Sequence, residues 1–172
     1  MQLTKWIRGL LILLLFESGY SQDLSGISIC LDPGHGKGNT NAGPTGLREA
    51  DINLAVAFFW KDFLKAANID TVLMTRTSDA TNPTLSEREQ IANRFGVTWF
   101  HSIHHNATGG THHNSRYTLV LYEELANHQP QWPGQSDVMS QLMAENIWKA
   151  IHTSDWRVFG DFTFYGSPSY LG

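Results

Sequence analysis

Residues Ile27 to His35 read ISICLDPGH, and this stretch decides the fold. Ile27–Asp32 is a short β-rich run closed by Pro33 and Gly34, which predicts a buried strand that opens into a loop. Residues 33–46 hold five glycines and two prolines, so the loop is irregular. From Glu49 to about Ala67 the pattern changes. Ile52, Val56, Phe59 and Phe63 recur at three- and four-residue steps, as in an amphipathic helix. Glu49 and Asp51 fall in its first turn, where the helix dipole favours acids.

Further along, Asp70–Thr75, Val97–Ile103 and Tyr117–Tyr122 read as strands, while Ser86–Phe95 and Ser136–His152 read as helices. Ser86 and Glu89 have the spacing of a capping box. Strands alternating with helices imply βαβ crossovers. The expected fold class is α/β: one domain with a central, mostly parallel sheet flanked by helices. Gly109–Ser115 is a polar loop, and Tyr165–Gly172 (YGSPSYLG) is loop-like with no closing element after it.

The 172 residues suffice for one domain with a real core. Apolar residues make up 41% and charged residues 16%, the balance of a globular chain. The net charge of −4 and the lack of a Lys/Arg run argue against nucleic acid as a partner. A single cysteine excludes an internal disulfide and any cysteine-built zinc site, whereas eight histidines leave His with Asp or Glu as ligands. Cys30 is expected to be a buried strand residue.

The N-terminus has the form of a secretory signal. Lys5 and Arg8 are basic, Gly9–Phe16 is apolar, and Gly19, Tyr20 and Ser21 offer a cleavage site before Gln22. The apolar run is shorter than the roughly 20 residues a membrane helix needs. The expectation is a signal peptide over 1–21, a mature domain over 22–172, and a secreted or periplasmic protein with no stable membrane insertion after cleavage.

In an open parallel α/β sheet, ligands bind beyond the carboxyl ends of the strands. His35 follows the first strand there, Glu49 opens the next helix, and His104 ends the third strand. Two imidazoles and one carboxylate, with a fourth position open, suit a catalytic zinc. Such an ion lowers the pKa of water and polarises a carbonyl, as amide hydrolysis requires. Each residue also has a plainer role: a solvated loop histidine, a helix N-terminal acid, a core histidine. Spacing alone leaves both readings open.

The order of segments resembles the zinc-dependent N-acetylmuramoyl-L-alanine amidase family of the amidase 3 type. The segments are ICLDPGHGKGNTNAGPTG, LREADINLAVAFFWKDFLKAA, TVLMTRTSD, LSEREQIANRFG and WFHSIHHNA, and the resemblance runs from about Ile27 to Ala107. The resemblance implies zinc bound by His35, Glu49 and His104. The implied reaction is cleavage of peptidoglycan between N-acetylmuramic acid and L-alanine. It assigns His104 rather than its neighbour His105 to the metal, in keeping with adjacent strand residues facing opposite ways. His101 is then an interior histidine. Asn106 either meets substrate or makes the turn. Arg76, Arg88 and Asn93 read as ion-pair and capping residues.

The family also carries a glutamate in a late strand as general base, and no such segment precedes Gly172. The chain is therefore expected to be incomplete at its C-terminus, with the base beyond it. Glu123 and Glu124 follow the fourth strand, and Asp155 and Asp161 fall in a stretch that reads as irregular. The competing readings are a zinc carboxypeptidase or other amidohydrolase, and a cell-wall-binding protein without catalysis. Protein partners and oligomeric state are not legible.

Overall fold

A computed structural model of the chain describes residues 23–43, 46–106 and 116–166. The expected signal peptide, the 109–115 loop with His112 and His113, and the last six residues lie outside that range. The described elements run β1 (Ser28–Pro33), α1 (Glu49–Ala66), β2 (Thr71–Met74), α2 (Leu85–Phe95), β3 (Trp99–Ile103), β4 (Tyr117–Tyr122), α3 (Ser136–Ile151), β5 (Asp155–Gly160) and α4 (Asp161–Tyr165). None of these helices is long and apolar enough to cross a membrane.

Every strand pair is parallel, as alternating strands and helices require. Among the described residues the strands are ordered β2-β1-β3 in one sheet and β4-β5 in another, and the mixed α/β fold is the expected one. The chain correspondingly divides into two compact units. One holds the described residues up to Pro83 together with Gln90–His105; the other holds Thr84–Glu89 and the described residues from Asn106 on.

In the first unit β1 is the central strand, and the apolar run 29–31 is buried throughout. Its core joins Ile29, Leu31, Ala57 and Ile103, with Val56, Trp60, Leu64, Val72, Met74 and Trp99 packed against them. Each large side chain removed from water there contributes about 1.5–3 kcal/mol. Cys30 is buried as expected, and burial raises its thiol to about 11. The register pairs Asp32 with Ser102 and Pro33 with Ile103. The Asp32 carboxylate accepts hydrogen bonds from Thr75 and from Ser102 Oγ (2.7 Å), tying the carboxyl ends of all three strands.

The face that α1 buries differs from the expected one. Val56 packs on the core, but Phe59 and Phe63 are 68% and 75% exposed. The buried stripe is Glu49, Ala50, Asn53 and Ala57, extended by Trp60 and Leu64. Two polar residues occupy the inner face because they have polar work at the strand ends. An apolar count could not register them.

Helix α2 starts one residue earlier than expected and is capped by a different pair. Glu87 Oε2 accepts from the Thr84 amide (2.7 Å) and hydroxyl (2.9 Å), and Thr84 Oγ1 accepts from the Glu87 amide (3.3 Å). The observed box is Thr84–Glu87, two residues before the expected Ser86–Glu89 pair. Asp155–Tyr165, expected to be irregular, folds as β5 and the five-residue α4.

Candidate metal centre

The loop after β1 continues the sheet for one more bond, from the Gly34 amide to the Ile103 carbonyl (3.0 Å). His35 then takes a left-handed backbone, with φ +61°, a conformation that costs a non-glycine residue about 1–3 kcal/mol. This turn aims its ring at the first turn of α1. Glu49 sits there because the Asn41 carbonyl accepts its amide (2.8 Å), and its carboxylate is buried. His104, just past β3, reaches the same carboxylate.

His35 Nε2 lies 3.1 Å from Glu49 Oε2, and His104 Nδ1 lies 3.1 Å from Glu49 Oε1. The two rings meet edge to face with centroids 4.8 Å apart. The Asn39 amide is 3.0 Å from His35 Nδ1, and the His105 amide donates to Glu49 Oε1 at 3.0 Å. Burial acts to raise the Glu49 carboxyl, but the His105 amide and the two imidazoles outweigh it and hold the carboxyl below its ordinary value. The ring of His104 fits because residue 34 is glycine. A Cβ there would stand 2.2 Å from His104 Nε2.

The three side chains each offer one ligand atom, all within 4.8 Å of one another. Atoms about 2 Å from a tetrahedral zinc lie roughly 3.3 Å apart. The two His–Glu separations, one to each Glu49 oxygen, are close to that spacing, and two imidazoles with one carboxylate suit zinc. The residues present therefore fit the ion.

Around the cluster is a buried frame that the sequence pattern did not disclose. Arg76 donates to three backbone carbonyls: Nε to Pro33 (2.7 Å), Nη2 to Gly34 (2.9 Å) and Ala50 (2.7 Å). Asn53 donates to the Gly34 carbonyl at 3.1 Å and lies 2.8 Å from His105 Nδ1. The only available signal for Asn53 was an amide one turn beyond Glu49 in a helix. The ring of His105 thus turns to Asn53 while that of His104 turns to Glu49, as neighbours at a strand end should. His101 is half-buried, its ring edge-on to those of Trp60 and Trp99, and burial pushes its imidazole down to about 4.

The chain's match to known proteins accords with this arrangement. The model of the Amidase_3 family, N-acetylmuramoyl-L-alanine amidase, matches residues 29–160. The chain belongs to that family. Among curated members, the amidase CwlM of Bacillus licheniformis is 41% identical over 87 residues, covering 49% of this chain and 34% of that protein. The sporulation-specific amidase of Bacillus subtilis (strain 168) is 36% identical over 118 residues, covering 68% of this chain and 44% of the relative. The chain thus spans less than half the length of these two relatives.

Among solved structures, the catalytic domain of the amidase CwlV from Bacillus (Paenibacillus) polymyxa var. colistinus is 26% identical, with TM-score 0.63. It covers 78% of this chain, which in turn covers 69% of it. An amidase from Clostridium difficile 630, 24% identical with TM-score 0.66, covers 78% of this chain, which covers 68% of it. That second likeness supports the amidase fold alone.

The remaining sequence candidates fall in the second unit. Asn106 is exposed. Glu124 is buried, and its carboxylate accepts from the Thr163 amide (2.6 Å) and hydroxyl (3.0 Å). Asp161 is also buried, accepting from the Glu124 amide (2.7 Å) and the Phe162 amide (2.8 Å). These two acids join β4 to the start of α4. Burial raises the Glu123 carboxyl, helped by the charges of Asp161 and Glu89.

Proposed function

We propose that this member of the amidase family is a zinc-dependent hydrolase that cleaves peptidoglycan between N-acetylmuramic acid and L-alanine. The proposed ligands are His35, Glu49 and His104. The observation that carries the reading is the Glu49 carboxylate flanked at 3.1 Å by both imidazoles, beyond the carboxyl ends of β1 and β3. When bound, zinc supplies a Lewis acid that lowers the pKa of water and polarises the scissile carbonyl.

The chain's own residues supply the frame for that chemistry. Glu49 is held ionised by its surroundings, so it arrives as a charged ligand. His35 and His104 flank it as neutral ligands from two different loops, and the glycine at 34 leaves room for the second ring. Asn106, next to the His104 segment, is proposed as a substrate contact. Glu124 and Asp161 are committed to backbone amides in their own unit, which argues against either as the general base. Residues 1–21 are proposed as a secretion signal and 22–172 as amidase domain, placing the protein where peptidoglycan lies.

Digestion of purified peptidoglycan, with mass analysis of the products, tests the reading. An amidase releases intact stem peptides with L-alanine at their N-terminus and leaves the glycan strands uncut. Release of single amino acids would identify a carboxypeptidase instead. Binding of the wall with no release, by a chain that does hold zinc, would leave either a wall-binding role or a general base that is not among residues 22–172.

A further inference from the structure

Asn53 lies one turn after Glu49 on α1 and is fully buried. Its side-chain amide touches two loops at once. Nδ2 donates to the carbonyl of Gly34, the residue before His35, and Oδ1 faces Nδ1 of His105, the residue after His104. We propose that Asn53 is the positioning residue of the metal centre. Through one amide it fixes the neighbours of both histidine ligands against the helix that carries the third. This inference rests on the zinc reading above.

The hydrogen-bond chemistry sets the direction of the grip. A backbone carbonyl can only accept, so the NH2 of Asn53 points to Gly34 and its oxygen points to His105. His105 Nδ1 must then carry a proton, leaving Nε2 as the lone-pair nitrogen of the neutral ring. The ring of His105 cannot swing toward Glu49 without breaking that bond, so of these two neighbours only the ring of His104 faces the carboxylate. On the other side the Gly34 carbonyl receives two donors, Asn53 and Arg76, which fill its two lone pairs. That clamp holds the chain just before His35 turns left-handed. Arg76 grips the His35 loop at Pro33 and Gly34; Asn53 joins that loop to the one bearing His104. Outer groups that orient metal ligands typically affect metal affinity 10–100-fold.

The test is zinc affinity by chelator competition on the chain and on Asn53→Ala, His105→Ala, the double variant and Ala57→Gly. The last is a matched control: it weakens the same buried helix face one turn further on, by about 1 kcal/mol, without touching either loop. Asn53→Ala should bind zinc about 10–100-fold more weakly and His105→Ala about tenfold more weakly. The His105→Ala effect should vanish in the Asn53→Ala background, because the two act through one bond. Ala57→Gly should bind as the unchanged chain does.

A metal-free readout accompanies it: nitrogen-15 NMR of the histidine rings should find His105 protonated at Nδ1. If Asn53→Ala does not fold, that readout and the His105→Ala affinity decide the matter. Equal losses in Asn53→Ala and Ala57→Gly, additive effects, or a His105 ring protonated at Nε2 would each overturn the positioning role and leave the zinc reading standing. No zinc on the unchanged chain would overturn both.

Discussion

Gly34 and His104 occupy one another's space: a Cβ at residue 34 would lie 2.2 Å from Nε2 and 2.3 Å from Cε1 of the imidazole. The clash is with the outer end of a side chain that is 41% exposed, so the ring can move away at little energetic cost. Gly34→Ala should therefore change thermal stability by no more than about 1 kcal/mol while displacing a proposed ligand. Zinc affinity should fall at least tenfold. Melting curves beside chelator titrations check this, and unchanged affinity would mean that His104 does not ligate from the position seen here.

The two adjacent histidines should respond differently to truncation. His104→Ala removes a proposed ligand and should leave the chain without stoichiometric zinc after gel filtration. His105→Ala removes only a ring that faces Asn53, and should still load one zinc at saturation. Metal content by atomic emission separates the two. The opposite order would put β3 one residue out of register with the metal.

Much of this site was legible before the fold was known, and particular residues show why. His35, Glu49 and His104 stand at strand and helix boundaries, which the apolar run 27–32 and the change of period at Glu49 marked clearly. Phe59 and Phe63 misled, because a helix with aromatics on two faces gives no single answer to a periodicity count. Asn53 was hidden for the same reason: its value depends on Gly34 and His105, 19 and 52 residues away. Asp155–Gly160 alternates Trp156, Val158 and Gly160 inward, a signal present but diluted by exposed Asp155 and Arg157. Helix α4 has too few residues to carry a period, and its cap comes from Glu124, 39 positions upstream.

His101 should make acid sensitivity measurable. Burial beside Trp60 and Trp99 depresses its imidazole from 6.5 to about 4, and among the described residues its buried Nδ1 has no hydrogen-bond partner. Between those values the unfolded chain binds a proton that the folded chain refuses. Stability is therefore undiminished above pH 6.5 and falls as pH drops toward 4, by a total on the order of 3 kcal/mol from this residue. Carboxylates lose their own partners over part of that range, so the difference between chains is what counts. His101→Phe, which keeps a ring in the pocket, should flatten the fall. Urea unfolding at pH 7 and pH 4.5 on both chains checks it; parallel losses would show that His101 is protonated where it sits.

Glu124 offers the sharpest separation of structure from chemistry. A buried glutamate just after a strand invites assignment as a catalytic base. Here both of its oxygens are taken up by Thr163, and its own amide by Asp161. His128 stands 3.7 Å from Oε2. The packing is close enough that a Cβ on Gly160 would fall 2.2 Å from the carboxyl carbon. Glu124→Gln keeps the shape, and its oxygen can still accept from the Thr163 amide, but its NH2 must donate to the Thr163 hydroxyl, so the ionised acceptor is exchanged for a neutral amide. It should cost about 1 kcal/mol, as the loss of charge-assisted hydrogen bonds does. Gly160→Ala should be as damaging, through the same carboxylate. Neither change touches Glu49 or the proposed histidine ligands, so the zinc bound per folded chain should stay the same in both. Denaturant titration and zinc analysis of the soluble fraction decide it. A Glu124→Gln chain of full stability that had lost hydrolysis of labelled cell walls would reverse the assignment and make Glu124 the base.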